Sequence, residues 1–135
     1  MKQQQTTAVR ASGVLPVIVK TLTQDKIDRY AAVSGDGNPL HTNVAFAAKT
    51  RFGGTVAHGM LVLAYLSEML TAAFGEDWLR SGRLKVRFRA PARPGDTVTA
   101  SGSVIHNQSG RTRCAVQCAN QQGEVLISGE AEVEA

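Results

Sequence analysis

The residues best equipped for chemistry in this chain lie close together in SGDGNPLH, residues 34 to 41. Asp36 and His41 stand five positions apart there. On a continuous helix that spacing would aim them about 140° away from each other, because each residue turns roughly 100°. Gly37 and Pro39 make the stretch poor material for a regular helix or strand and let the chain curl, so that carboxylate and imidazole can converge on one small volume. Such a pair can hold a water molecule and split the work of adding or removing it, one group taking a proton while the other relays one near neutral pH. A bland reading competes with this one. Asp-Gly and Asn-Pro are turn formers, Asp36 can bond its own backbone, and His41 can pack at a loop end.

Water chemistry also needs an electrophile and a place for the charge it develops. Downstream, TVAHGM opens an apolar helix. Gly59 at that start offers a backbone N–H that no side chain blocks, aided by the positive end of the helix dipole. A thioester carbonyl aimed at this amide would have its enolate stabilised as water adds to the β-carbon of a conjugated enoyl group.

These residues depend on the elements around them. GVLPVIVKTL is β-branched and apolar enough for a strand, and TQDKIDRYAAVSG reads as a helix with Thr23 as N-cap and Gly35 as its stop. Its inward residues are expected to be Ile27, Tyr30, Ala31 and Val33. After the loop, NVAFAAKTRFGG predicts a second short helix from near Asn43 to Gly53 and Gly54. The long apolar helix then runs from Gly59 to Phe74. Met60, Leu61, Val62, Leu63, Tyr65, Leu66, Met69 and Leu70 leave it no fully polar face, so protein should surround it on most sides. The remainder supplies the cover. LKVRFRA alternates strictly, and DTVTASGSVIHNQ, RTRCAVQCA and EVLISGEAEVE all read as strands. NQSGR and NQQGE are short turns that make the last three strands an antiparallel meander, while APARPGD joins the first of the four to the second. The fold class is α+β, one antiparallel sheet curled around a central helix.

At 135 residues the chain is expected to form one domain over residues 14–135, after a polar, flexible lead over residues 1–13 that carries no secretory signal. Cytoplasmic residence follows as the expectation. Cys114 and Cys118 have no further cysteine with which to complete a thiolate metal site, and they read as reduced, packed thiols. MLVLAYLSEMLTAAF is broken by Glu68 and falls short of the roughly 20 residues a bilayer span requires. Lys and Arg number 15 against 11 Asp and Glu, a net charge of +4 that draws anions without marking a nucleic-acid binder. The basic residues crowd into LKVRFRA and its flanks. There Leu84, Val86, Phe88 and Ala90 can face the core while Lys85, Arg87 and Arg89 face out, either as a solvated face or as contacts to phosphate. No stacking or groove-entering motif accompanies them, so neither nucleic acid nor membrane is an expected partner.

SGDGNPLH followed by VAHGMLVLAYLSEML and LKVRFRAPARPGD resembles the MaoC-like group of hot-dog-fold proteins, whose best-known members are (R)-specific enoyl-CoA hydratases. The family pattern around the active site is Asp, any residue, Asn, Pro, Ile or Leu, then His. Asp36, Asn38, Pro39, Leu40 and His41 fill it. The likeness is dense from Tyr30 to Asp96; the last strands agree in pattern only. It implies a catalytic dyad of Asp36 and His41, an oxyanion donor in the Gly59 amide, and reversible hydration of trans-2-enoyl-CoA to (R)-3-hydroxyacyl-CoA without metal or redox cofactor. It implies a homodimer as well, which suits a small sheet with an exposed edge. Asn38 supports the loop. Ser67 falls at a position where relatives have a functional serine, yet about 12 Å of helix separates it from Gly59, which makes it a supporting or cross-subunit residue. Relatives often have proline at the position of Thr55 or its neighbours, where this chain has none.

The alternatives are a 3-hydroxyacyl carrier-protein dehydratase, a thioesterase acting through Glu68, and a non-catalytic acyl-thioester binding module. His58 reads as helix-start packing, since no tight metal-ligand spacing joins it to His41. His106 reads as an exposed strand-end residue.

Overall fold

The computed structural model describes residues 9 and 12–135 of the chain. The expected flexible lead falls mostly outside this range; Val9, which lies within it, is buried against the core. Among the described residues ten elements follow in order. They are β1 (Ile18–Thr21), α1 (Gln24–Ser34), α2 (Pro39–Thr42), α3 (Val44–Ala48), α4 (Gly59–Phe74), α5 (Glu76–Ser81), β2 (Arg83–Phe88), β3 (Thr97–Gln108), β4 (Arg111–Ala119) and β5 (Val125–Glu134).

The strands form one antiparallel sheet in the order β1-β3-β4-β5-β2, with the last three as the expected meander. Ser109 and Gly110 both take positive φ at the β3–β4 turn, the backbone that twists a two-residue hairpin the right way. Helix α4 packs against β1, β3, β4 and β5. Its Leu66, Met69, Leu70 and Phe74 meet Val98, Val116, Leu126, Ile127 and Val133 in a continuous core. Each such side chain contributes about 1.5–3 kcal/mol by leaving water. At Gly129 of β5 the sheet is so close that a β-carbon would lie 2.1 Å from the Lys85 carbonyl oxygen on β2. Only glycine admits that approach. A helix cupped by a curled antiparallel sheet is the hot-dog fold.

Local chemistry set several boundaries differently from expectation. Pro39, expected with Gly37 to interrupt regular structure, instead starts a helix behind Asn38. The Asn38 side chain accepts from Leu40 N–H at 3.0 Å, and Pro39 occupies the first helical position, where its missing N–H costs nothing. Helix α3 begins after Asn43 as expected but stops at Ala48, because Lys49 and Thr50 N–H turn back to the Phe46 and Ala47 carbonyls. Regular pairing of the first strand is confined to Ile18–Thr21, with one isolated bridge from Val14 to Ser103.

Thr23 and Gly35 cap α1 as read from sequence, with Gly35 at φ 79°. Ile27 and Ala31 are buried, but Val33 is 88% exposed. Six residues beyond Ile27 it points about 120° away, off the apolar stripe. Phe88, expected in the core, is 56% exposed. It ends β2 at the sheet edge and lies over Gly59 instead. Along α4, Met60, Ala64 and Glu68 stay exposed at successive four-residue steps, so the sheet leaves one stripe of the helix open. Among the described residues no helix is long and apolar enough to cross a membrane.

Both cysteines sit on the inner face of β4 with no disulfide. Burial pushes the Cys114 thiol up to about 11 and the Cys118 thiol up to about 12. Burial raises the Tyr65 phenol too, helped by Cys118 and Glu68. These are inert packing groups.

Candidate active site

The dyad loop is built by overlapping short caps. Ser34 Oγ accepts from Asp36 N–H at 3.2 Å, Asp36 Oδ1 accepts from Asn38 N–H at 3.3 Å, and Asn38 Oδ1 holds the α2 start. Each caps a backbone donor that the loop would otherwise leave unpaired. The outcome is convergence. Asp36 Oδ2 lies 4.0 Å from His41 Nε2, with the carboxylate side chain 55% exposed and the imidazole 13%.

The orientation of His41 is fixed from behind. Its Nδ1–H donates to the Val56 carbonyl at 2.7 Å, while Val56 N–H returns to the Leu40 carbonyl at 3.3 Å. With the proton on Nδ1, Nε2 presents its lone pair toward Asp36. Gln24, the first residue of α1, ties the same stretch from another side. Its Nε2 donates to the His41 carbonyl at 2.8 Å, and its Oε1 accepts from the buried Thr55 hydroxyl at 2.7 Å. Thr55 therefore reaches the His41 backbone through one intervening side chain.

His58 was read from sequence as helix-start packing. It does precede α4, and it also enters the site. It is 3% exposed. Its Nε2–H donates to the Asp36 carbonyl at 3.0 Å, and its ring stacks on His41 with centroids 3.8 Å apart and planes 26° from parallel. Tyr30 also meets this ring in a T-shaped contact, with centroids 4.8 Å apart. No local pattern announces this, because its partners are 22 and 17 residues away in sequence.

Asp36, His41 and His58 each offer a potential ligand atom within 4.8 Å of the others. His41 Nδ1 and His58 Nε2 are committed to carbonyls. The stacked rings keep their lone pairs in nearly parallel planes, which cannot meet at an ion about 2.0–2.1 Å from each nitrogen.

Gly59 begins α4 directly after His58. The helix has no side-chain N-cap bond, and the first-turn amide of Gly59 has no acceptor within the helix. A β-carbon at Gly59 would lie 2.8 Å from the Phe88 ring. Beside it opens a cavity of about 340 Å³ with Val62, Leu126 and Ile127 as its apolar lining and Phe88, Arg51 and Arg89 along it. Asp36 and His41 do not line this space. The segment from Val56 to Gly59 connects the two regions, joined to one side by Val56 and to the other by Ala57, whose N–H donates to Ala92 at 2.8 Å.

The remaining sequence-derived residues are spread out. Ser67 accepts from Trp78 Nε1–H at 3.1 Å. Lys85 and Arg87 are exposed on β2, bordering with Arg89 a shallow groove beside Gly129 and Glu130. Glu68 pairs with Lys20 at 3.0 Å. His106 is exposed next to a register shift in β3.

A helix cupped in an antiparallel sheet, with an acid and an imidazole facing each other before its N-terminus, defines a hot-dog protein of the hydratase type. The chain belongs to the MaoC-like family: residues 7–125 match the MaoC like domain. Among its relatives, a 3-hydroxybutyryl-CoA dehydratase of Methylorubrum extorquens is 32% identical over 126 residues, covering 90% of this chain and 78% of the relative. An (R)-specific enoyl-CoA hydratase of Rhodospirillum rubrum is 35% identical over 122 residues, covering 86% and 81%. Among solved structures, the unliganded R-hydratase PhaJ1 from Pseudomonas aeruginosa superposes with a TM-score of 0.78 at 31% identity, over 89% of this chain and 78% of that one.

Proposed function

We propose that the protein adds water reversibly to trans-2-enoyl-CoA thioesters, giving (R)-3-hydroxyacyl-CoA, with Asp36 and His41 as the catalytic pair. The observation that carries this reading is the 4.0 Å gap between Asp36 Oδ2 and His41 Nε2. It is too wide for a direct hydrogen bond, and an oxygen about 2.8 Å from each atom closes the triangle. A water there has one proton facing a carboxylate and the other facing a bare ring nitrogen.

In hydration the water oxygen bonds the β-carbon while one of its protons passes to the pair. The double-bond electrons move to the thioester oxygen, and the enolate is held by the Gly59 amide at the positive end of a 16-residue helix. The pair then returns one proton to the α-carbon as the enolate collapses. One proton is taken and one given back, so the reaction needs no cofactor and the same steps in reverse give dehydration.

Arg89, with Lys85 and Arg87 along β2, is the proposed contact for coenzyme A phosphates or for the acidic surface of a carrier protein. Carrier-protein dehydration is the second reading, and the same site serves it. A homodimer in the cytoplasm completes the proposal, with a second copy covering the exposed α4 stripe and the free edge of β2.

The test is to follow loss of the conjugated enoyl absorbance with crotonyl-CoA, and then longer enoyl chains, and to determine the product's configuration. The proposal expects the (R)-alcohol with no free thiol. Thiol release would favour the thioesterase, and recovery of every enoyl thioester unchanged would favour a binding module.

A further inference from the structure

His58 breaks a local rule without local return. It occupies the N-cap of α4, where Ser, Thr, Asp or Asn would bond a first-turn amide, yet its side chain makes no cap bond. It is buried, and its Nδ1 has no hydrogen-bond partner among the described residues. An unpaired buried polar atom costs stability. What the ring does achieve points entirely toward the dyad. Its Nε2–H holds the backbone carbonyl of Asp36, and its face backs the ring of His41.

We propose that His58 is a positioning residue for the Asp36–His41 pair, fixing the acid through its backbone and the base through its ring. The inference rests on the hydratase reading for its effect on rate, but the geometry it asserts stands apart from any activity. Asp36 sits in a loop whose other restraints are short local caps. His58 Nε2–H is the bond that ties the Asp36 carbonyl to the helix carrying Gly59. Tyr30, in T-shaped contact with the same imidazole, packs against it as well. Acid, base and oxyanion donor are thereby referenced to one ring. Misplacement by about 1 Å is enough to cost roughly a hundredfold in rate, so such a reference matters.

Two substitutions separate the roles. His58→Phe keeps a flat ring against His41 and removes the donor; His58→Gln keeps a donor at similar reach and removes the ring. With crotonyl-CoA, His58→Phe should lower kcat about tenfold or more, leave KM within about twofold and melt no lower than wild type. His58→Gln should recover part of that loss. The Gly37 amide nitrogen, bonded directly to the Asp36 carbonyl carbon, gives a second readout by NMR. Its shift should move in His58→Phe and stay near wild type in His58→Gln. Wild-type kcat in a folded His58→Phe protein, or losses in both variants that simply follow melting temperature, would overturn the proposal. If the wild type hydrates no enoyl thioester, the functional reading fails by itself. The Gly37 shift then decides: movement in His58→Phe upholds positioning, and an unchanged shift in both variants rejects it.

Discussion

Asp36 and His41 were legible from residue types and spacing because the loop that joins them is short and its glycine and proline permit few paths. The groups that hold them were not. Gln24 reaches the dyad from α1, and Val56 and His58 from the segment before α4, and sequence carries no local sign of a hydrogen bond between a helix N-terminus and a carbonyl 17 residues later. The Thr55–Gln24–His41 chain makes a prediction at this scale. Thr55→Val keeps the buried shape and removes the donor to Gln24 Oε1, so stability should fall by about 1 kcal/mol in a denaturant titration. Freed from Thr55, the Gln24 amide holds His41 less firmly, and kcat should fall severalfold with little change in KM. A variant as stable and as active as wild type would remove Thr55 from the support of the site.

Among elements, the sequence pattern was most informative where a face is repeated and least where one residue sets the contact. The strands and α4 repeat their apolar positions, so they were found. Helix α5 was missed because six residues between Gly75 and Gly82 hold one apolar pair, Trp78 and Leu79, and the flanking glycines read as turn signals. Its anchor is Trp78, buried and bonded to Ser67 of α4. Ser67→Ala would leave that indole N–H without its acceptor and should cost about 1 kcal/mol of stability while changing kcat by no more than a few-fold. A hundredfold loss in kcat would instead draw Ser67 into the chemistry. At the other end of α4, Gly59→Ala places a β-carbon 2.8 Å from the Phe88 ring. Phe88 is exposed and can yield, so the fold should survive. The approach to the Gly59 amide narrows, however, and kcat/KM should fall about tenfold or more, in line with the weight of a single oxyanion donor. Unchanged kcat/KM in Gly59→Ala would argue against an oxyanion role.

For the whole molecule, the buried thiols contribute to the alkaline limit, alongside the buried Tyr65 phenol. Their folded values, about 11 for Cys114 and about 12 for Cys118, lie above the ordinary 9.0. The unfolded chain therefore releases those protons first as pH rises. The stability they contribute is fully present below about pH 9 and is lost progressively toward pH 12. Thermal melts across that window should show the decline, and Cys118→Ala should flatten it even though its cavity lowers stability at neutral pH. The overall architecture, a helix cupped by a curled sheet, was readable because such an arrangement covers an apolar helix with alternating strands. The open stripe at Met60, Ala64 and Glu68 was not, because it depends on where the sheet ends. The account as a whole rests on the proposal that Asp36 and His41 hold and activate a water between them. Its most direct test is steady-state hydration of crotonyl-CoA by wild type and Asp36→Asn, with melting curves for both. Asp36→Asn should fold normally, since this side chain is half exposed, and lose at least about a hundredfold in kcat. An active wild type matched by an equally active Asp36→Asn would contradict the central claim.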